Sequence, residues 1–219
     1  MNPIPQEGFA EIIKELEQKP LAVNKYRDRA GEGKSQAFLV VNRRCLPPDY
    51  SRQCWLRPKL LFHLLEFAKQ YVDISYNAIT VNQNYAASPH YDKNNKGNSF
   101  LVAFGSYTGG ELKIHEGDLS GNHDINCKPI KADFSKILHS VTPFEGERFS
   151  LVFYNFWTPK LPTLPPYSVR QENGKYFFYR GEEKITIKTG LPHPIRGLKR
   201  NKRDYSFVRE QKDIQVTFN

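Results

Sequence analysis

The chain has 219 residues, 39% hydrophobic and 13% aromatic, with a formal charge of +9 and a pI near 9.4. That length and apolar content suffice for one domain with a substantial core and exclude a disordered chain. No apolar run approaches the length of a transmembrane helix, which excludes a helical membrane span, and the basic balance favours phosphate-bearing partners without requiring them.

Phe9, Ile12, Ile13 and Leu16 recur at helical spacing and Pro20 follows, which predicts a first amphipathic helix. The opening residues lack the basic and apolar regions of a secretory signal. Cys45, Cys54 and Cys127 are odd in number and have no metal-ligand spacing, so reduced thiols in an intracellular compartment, cytoplasmic or nuclear, are expected. The segment 36-QAFLVV-41 reads as a strand. Pro47 and Pro48 then interrupt the chain, and 58-PKLLFHLLEFAKQY-71 reads as a mostly buried helix with Pro58 at its start. His63 within it is read as a hydrogen-bonded packing residue rather than a ligand.

From Ser75 the pattern changes to short β-branched and aromatic runs at 76–85, 99–104, 111–115, 136–141 and 147–156. Turn signals separate them, among them Gly109-Gly110 and 143-PFEG-146, as in an antiparallel sandwich or barrel. The runs 176-YFFY-179 and 184-KITI-187 add two candidate strands. The Pro-rich 159-PKLPTLPP-166 is a rigid connector or the start of an extension. The run 196-RGLKRNKR-203 is a solvated surface or a phosphate contact. The expected layout is one domain over 1–219: helical support over about 1–74, a β core over about 75–160 and a basic extension over about 161–219.

His90 and Asp92, two apart in an extended stretch, project to one face, where both groups are costly to bury alone. A third group, His139, lies in another predicted strand. Two imidazoles and one carboxylate hold a divalent ion on one side and leave positions open, the donor set of non-haem Fe(II) oxygenases. If 143-PFEG-146 turns a hairpin, His139 pairs with Ser150, and Arg148, Ser150, Val152 and Tyr154 share its face. An inward Arg beside a metal is an uncompensated charge unless a carboxylate arrives with the substrate, for which guanidinium is a bidentate fork. The alternative is that Arg148 pairs with Glu145 or Glu147 at the surface. Asn82 and Asn84 either reach the metal-bound end of such a cosubstrate or pair with backbone. His115, His123, Asp118 and Asp124 mimic a second cluster, but their Gly- and Ser-containing surroundings read as an exposed loop.

H-x-D at 90-HYD-92, the distal His139 and R-x-S at 148-RFS-150 together resemble the Fe(II)- and 2-oxoglutarate-dependent dioxygenase superfamily. More narrowly, 90-HYDKNNKGNS-99 and 148-RFSLVFY-154 resemble its TET/JBP branch, oxygenases of 5-methylpyrimidines. The resemblance covers about residues 80–157. It implies an α+β fold with a double-stranded β-helix core, jelly-roll or cupin-like, flanked by N-terminal helices. It also implies Fe(II), the cosubstrate 2-oxoglutarate and O2, with His90, Asp92 and His139 as metal ligands and catalytic residues. Arg148 then clamps the distal carboxylate of 2-oxoglutarate with Ser150 assisting; Asn95 hydrogen-bonds the target base and Tyr154 stacks on it. Nucleic acid, DNA before RNA, is the implied partner. Members on the TET side place a His two residues past that Tyr; this chain has Phe156, which moves weight towards thymine or a non-base substrate. A hydroxylase of a protein side chain or small molecule shares every one of these motifs, and a barrel that binds metal or nucleic acid without turnover is the remaining alternative.

Overall fold

This computed structural model describes residues 1–21, 31–42, 49–158 and 163–185. The runs at 43–48 and 196–203, with Cys45, Pro47 and Pro48, lie outside the described residues. A short turn at Gln6–Phe9 leads into α1 (Ala10–Gln18), followed by β1 (Gly31–Phe38), β2 (Val41–Asn42) and β3 (Asp49–Tyr50). Then come α2 (Gln53–Leu56), α3 (Pro58–Tyr71), β4 (Ala78–Ala87), β5 (Ser99–Gly109), β6 (Leu112–Ile114) and β7 (Gly121–His123). The chain continues through β8 (Ile130–Ala132), β9 (His139–Val141), β10 (Phe144–Tyr154), β11 (Tyr167–Glu172), β12 (Lys175–Arg180) and β13 (Glu183–Ile185). No described helix is long and apolar enough to cross a membrane.

The helix α3 spans the predicted 58–71, with Pro58 in its first turn, where a missing N–H costs nothing. Leu60, Leu61, Leu64, Phe67 and Ala68 form one buried face. That face, with Phe9, Ile12 and Leu16, packs on a five-stranded antiparallel sheet ordered β1-β4-β10-β5-β8. Arg57, just before α3, is buried and donates to the backbone carbonyls of Glu15 and Lys19 at the end of α1. Positive charge there complements the carbonyl end of the helix.

The run 99-SFLVAF-104 is apolar throughout because both faces of the main sheet are covered. Phe100, Val102 and Phe104 meet the helices together with Phe149, Leu151 and Phe153 from β10. The intervening Leu101 and Ala103 point the other way, into a second core with Leu112, Ile114, Ile125 and Phe134. This second core lies between the main sheet and a smaller one ordered β7-β6-β9. A backbone bridge from His90 to His139, 2.9 and 3.1 Å in its two hydrogen bonds, adds the segment after β4 to the smaller sheet.

The chain therefore crosses between sheets after β4, before β5, and again at β5–β6, β7–β8, β8–β9 and β9–β10, which is the winding of a jelly roll. The double-stranded β-helix expected from the motifs is the fold observed. One local expectation fails. The strands β9 and β10 do not form a hairpin: His139 pairs with Ile114 and bridges to His90, whereas Ser150 pairs with Asn82 and Ala103. Pro143 sits where the chain passes from the small sheet to the large one, so the turn signal was real but marked a crossing. A separate three-stranded sheet, β11-β12-β13, follows the Pro-rich stretch and packs Tyr167 and Phe178 near Tyr50 and Trp55.

Candidate active site

The two sheets enclose a cavity of about 300 Å³. His90, Asp92 and His139 line it, and a ligand atom from each lies within 4.8 Å of the others, the only such metal-ligating group among the described residues. The position of each follows from the sheet. His139 opens β9 and turns inward, and its backbone bridge holds His90 alongside, their rings 4.3 Å apart. The Asp92 N–H donates to the carbonyl of Phe134 at 2.9 Å, fixing the second half of the H-x-D.

The hydrogen bonds around these three groups decide whether they fit a metal. The Nδ1 of His90 faces the carbonyl of Ser88 at 2.7 Å, and the Nδ1 of His139 faces that of Ile137 at 2.9 Å. A carbonyl only accepts, so both protons sit on Nδ1 and both Nε2 atoms carry a free lone pair. Burial pushes the His139 imidazole below its usual range, which also favours the neutral, ligating form. Asp92 Oδ1 lies 3.6 Å from His90 Nε2, while Oδ2 accepts from Asn95 Nδ2 at 3.1 Å. One carboxylate oxygen is thus held by the protein and the other is turned towards the imidazoles. Preset tautomers and a braced carboxylate are the outer-shell arrangement of a built metal centre.

Across the cavity, β10 presents Arg148, Ser150, Val152 and Tyr154, as alternation predicted. Arg148 is 2% exposed, and no ion pair reaches it among the described residues. Its Nε donates to the carbonyl of Gly110 at 3.1 Å, and the guanidinium lies over the rings of Tyr107 and Phe144 at 5.5 and 5.7 Å. Burial lowers its pKa, partly offset by the Tyr107 phenol beside it. Gly110 has φ 66, and a Cβ there would lie 2.8 Å from Arg148 Cδ, so the turn is left-handed and bare to make room for this side chain. A buried guanidinium without a carboxylate is costly, and it aims into a chamber that holds a metal-ligating triad.

Two imidazoles and one carboxylate on one side of the cavity make a donor set that suits a divalent cation with open coordination positions. The triad and Arg148 line one cavity. No family model matches the chain, and no curated protein matches it. Solved structures do resemble it. NgTET1 in complex with 5mC DNA is similar at 15% identity over 70% of this chain and 69% of that one, with a TM-score of 0.46. A Pseudomonas putida prolyl-4-hydroxylase is similar at 13% identity over 68% and 83% of the two chains, with a TM-score of 0.42. An oxidoreductase of the 2OG-Fe(II) oxygenase family from Burkholderia pseudomallei is similar at 13% identity over 67% and 76%, with a TM-score of 0.42. At such identities none of them carries a substrate over to this chain.

The remaining predicted residues divide. Ser150 Oγ accepts from Asn82 Nδ2 at 3.1 Å, and the buried Asn82 Oδ1 has no hydrogen-bond partner among the described residues. Tyr154 lines the cavity with its hydroxyl 3.2 Å from Thr80 Oγ1. Asn95 lines it too, but its amide nitrogen serves Asp92 and Ser99. Asn84 is not in the cavity. It stands at a bulge in β4, with φ 49, exposed, its Oδ1 accepting the backbone N–H of Arg148 at 2.8 Å. Register slips there because two residues of β4 oppose one of β1, so Tyr85 rather than Asn84 turns inward behind Asn82.

His115 and His123 are engaged elsewhere, His115 with Ser140 Oγ at 2.9 Å and His123 with the Leu119 carbonyl at 2.6 Å. They form no second metal cluster among the described residues. His63 packs between Phe62 and Tyr176, as a packing residue should, but its buried Nε2 makes no hydrogen bond among the described residues and lies 3.8 Å from Glu11 Oε2. Sequence reading missed the apolar walls Leu101, Leu112, Ile125 and Phe134, which look like any core positions until the sheets face each other.

Proposed function

We propose that this chain is an Fe(II)- and 2-oxoglutarate-dependent dioxygenase that hydroxylates the 5-methyl group of a pyrimidine in nucleic acid. The observation that carries the reaction class is Arg148, a buried cation with no acid partner among the described residues, in one chamber with two imidazoles whose Nε2 lone pairs are preset. His90 Nε2, Asp92 Oδ1 and His139 Nε2 would hold the iron. When bound, Fe(II) with 2-oxoglutarate and O2 supplies C–H hydroxylation: one oxygen atom enters the substrate, the other enters succinate, and CO2 leaves.

The residues do the positioning. Arg148 takes the distal carboxylate of 2-oxoglutarate in a charge-assisted, bidentate pair, with the Ser150 hydroxyl beside it. Asn82 Nδ2 donates to Ser150 Oγ and so leaves the Ser150 hydroxyl proton free to meet that carboxylate. Leu101, Leu112, Ile125 and Phe134 keep water from the reacting centre.

The substrate assignment rests on three supports. The segments around His90 and Arg148 resemble the 5-methylpyrimidine oxygenases. The cavity, about 300 Å³, stands at the small end of ligand sites and suits one flat ring beside a small diacid. The chain carries a charge of +9, which favours a polyanion. Tyr154 gives the ring a face to stack on, as extruded bases are commonly held. Asn95 offers Oδ1, its nitrogen being committed to Asp92. Phe156 lines the same cavity and offers no hydrogen bond to an exocyclic amine, which favours thymine over 5-methylcytosine.

Incubation with Fe(II), 2-oxoglutarate and DNA, followed by mass spectrometry of the nucleosides, tests this reading. Expected are succinate and a thymidine or methylcytidine heavier by one oxygen atom. Succinate without a modified nucleoside would move the substrate to another class. Absence of succinate with every substrate offered would refute the oxygenase.

A further inference from the structure

Beside the mouth of the cavity two segments run antiparallel. The Trp157 N–H donates to the Asn94 carbonyl and the Lys96 N–H donates to the Asn155 carbonyl, each at 2.9 Å, with Asn95 and Phe156 bridged between them. Asn77 ties the second segment from behind: its Oδ1 accepts the Phe156 N–H at 2.7 Å and its Nδ2 donates to the Phe156 carbonyl at 3.0 Å. On this braced ledge stands Trp157, 52% exposed, the most exposed aromatic side chain among the described residues. Lys96 Nζ lies 5.9 Å from its ring centre. Lys93, three residues earlier, lines the cavity mouth. Neither lysine has an ion pair among the described residues.

The indole of Trp157 keeps about half of its surface open to a ligand. The backbone that carries it is held by hydrogen bonds on both sides, so the ring is presented at a fixed place next to an opening. Aromatic faces beside unpaired cations are the features by which proteins hold single-stranded nucleic acid: the ring stacks on a base and the cations meet the phosphates. Phe156 lines the cavity and Trp157, the next residue, does not, so the ledge adjoins the cavity along the chain.

We propose that Trp157 is a stacking platform for the base next to the one being oxidised, and that Lys93 and Lys96 hold the phosphates flanking it. This assigns a docking surface to the site and rests on the nucleic-acid reading above. The occupant is a single-stranded nucleic acid, whose bases are free to unstack. Unpairing is least costly for a strand already single, so single-stranded substrate binds better than the matching duplex.

The test uses the two tryptophans of the chain, Trp55 and Trp157. Trp55 packs near Phe178, under the separate three-stranded sheet. Titration of the full chain with a single-stranded oligothymidylate, followed by intrinsic fluorescence, should quench emission in the wild type and not in Trp157→Phe. Trp157→Ala should lower affinity on the order of tenfold. The double variant Lys93→Gln/Lys96→Gln should reduce the slope of log affinity against log salt by about 1.4, two phosphates at about 0.7 each. Equal quenching in Trp157→Phe, or a salt slope untouched by the double variant, overturns the platform, as does tighter binding of duplex than of single strand. The titration needs neither iron nor 2-oxoglutarate. Binding without turnover would therefore remove the proposed reaction and keep the platform. Oxidation of a peptide or small molecule without oligonucleotide quenching would keep the oxygenase and remove the platform.

Discussion

Arg148→Met separates a ligand-binding arginine from a structural one, because the two roles predict opposite signs. In the folded chain Arg148 is 2% exposed and has no carboxylate within reach among the described residues. Its side chain donates from Nε to the Gly110 carbonyl, hydrogen-bonds the Tyr107 phenol and lies over the rings of Tyr107 and Phe144. Methionine keeps much of the apolar stem against those rings and removes the buried charge. Removing a buried charge that no acid offsets lifts its desolvation cost, which in this site outweighs the hydrogen bonds lost to Gly110 and Tyr107. The ligand-free variant should then melt at the same temperature as the wild type or above it. With 2-oxoglutarate the sign reverses. Truncating one partner of a buried charge pair costs about 2–5 kcal/mol, so the KM for 2-oxoglutarate should rise by a factor of about 30 to several thousand. Thermal melting with and without 2-oxoglutarate, and succinate release over a range of cosubstrate, measure both halves. A variant that loses stability without ligand yet keeps its KM would show Arg148 to be a packing residue, and the chamber would lose its carboxylate site.

Four further outcomes are expected. His139→Ala removes one of three ligands and should abolish turnover and weaken Fe(II) binding, read by anaerobic optical titration; full activity would reject the triad. Asn95→Ala frees Asp92 Oδ2 and should cost about 10–100-fold in metal affinity, measured by competition with a chelator. Gly110→Ala forces a Cβ to within 2.8 Å of Arg148 at a left-handed position, and should destabilise by about 1–3 kcal/mol while raising the KM for 2-oxoglutarate more than it alters iron affinity. Burial pushes the Cys54 thiol up to about 11, so at pH 8 it stays protonated and should resist iodoacetamide in the native chain, with alkylation appearing only on unfolding, as peptide mapping would record.

What the sequence made legible was whatever depends on local chemistry. Pro58 and the apolar spacing behind it define α3 to the residue, and the β-rich region from Ser75 onward is found where its composition changes. Residues of the triad declared themselves because an imidazole and a carboxylate two apart in an extended stretch need a reason. What the sequence concealed was pairing. Pro143 and Gly146 mark a reversal, and a reversal between two strands reads as a hairpin unless the strands belong to different sheets. Here His139 stays in the small sheet with Ile114 and His90, and β10 joins the large one between β4 and β5. His139 and Arg148 still meet, but across the cavity instead of along one ladder. Facing sheets satisfy the same requirement of a shared chamber, which is why a wrong pairing led to a correct convergence.

The case of Asn84 shows how a single inserted residue limits such reading. Strict alternation from Thr80 puts Asn82 and then Asn84 on the cavity face. The structure keeps Thr80 and Asn82 there and then changes phase, so that Tyr85 and Ala87 continue the lining. Opposite this point Glu32 pairs with Ala86 and Lys34 with Gln83, leaving Gly33 alone against two residues. Gly33 approaches too closely for a side chain, since a Cβ there would lie 2.1 Å from the Asn84 carbonyl oxygen. The bulge has a consequence for the site. By turning outward, Asn84 brings its Oδ1 to the backbone N–H of Arg148 on the neighbouring strand. The same irregularity that removes Asn84 from the cavity therefore pins the strand position from which Arg148 reaches into it. Asn84 thus acts on the cavity through the backbone of Arg148, a role that no side-chain parity could have disclosed.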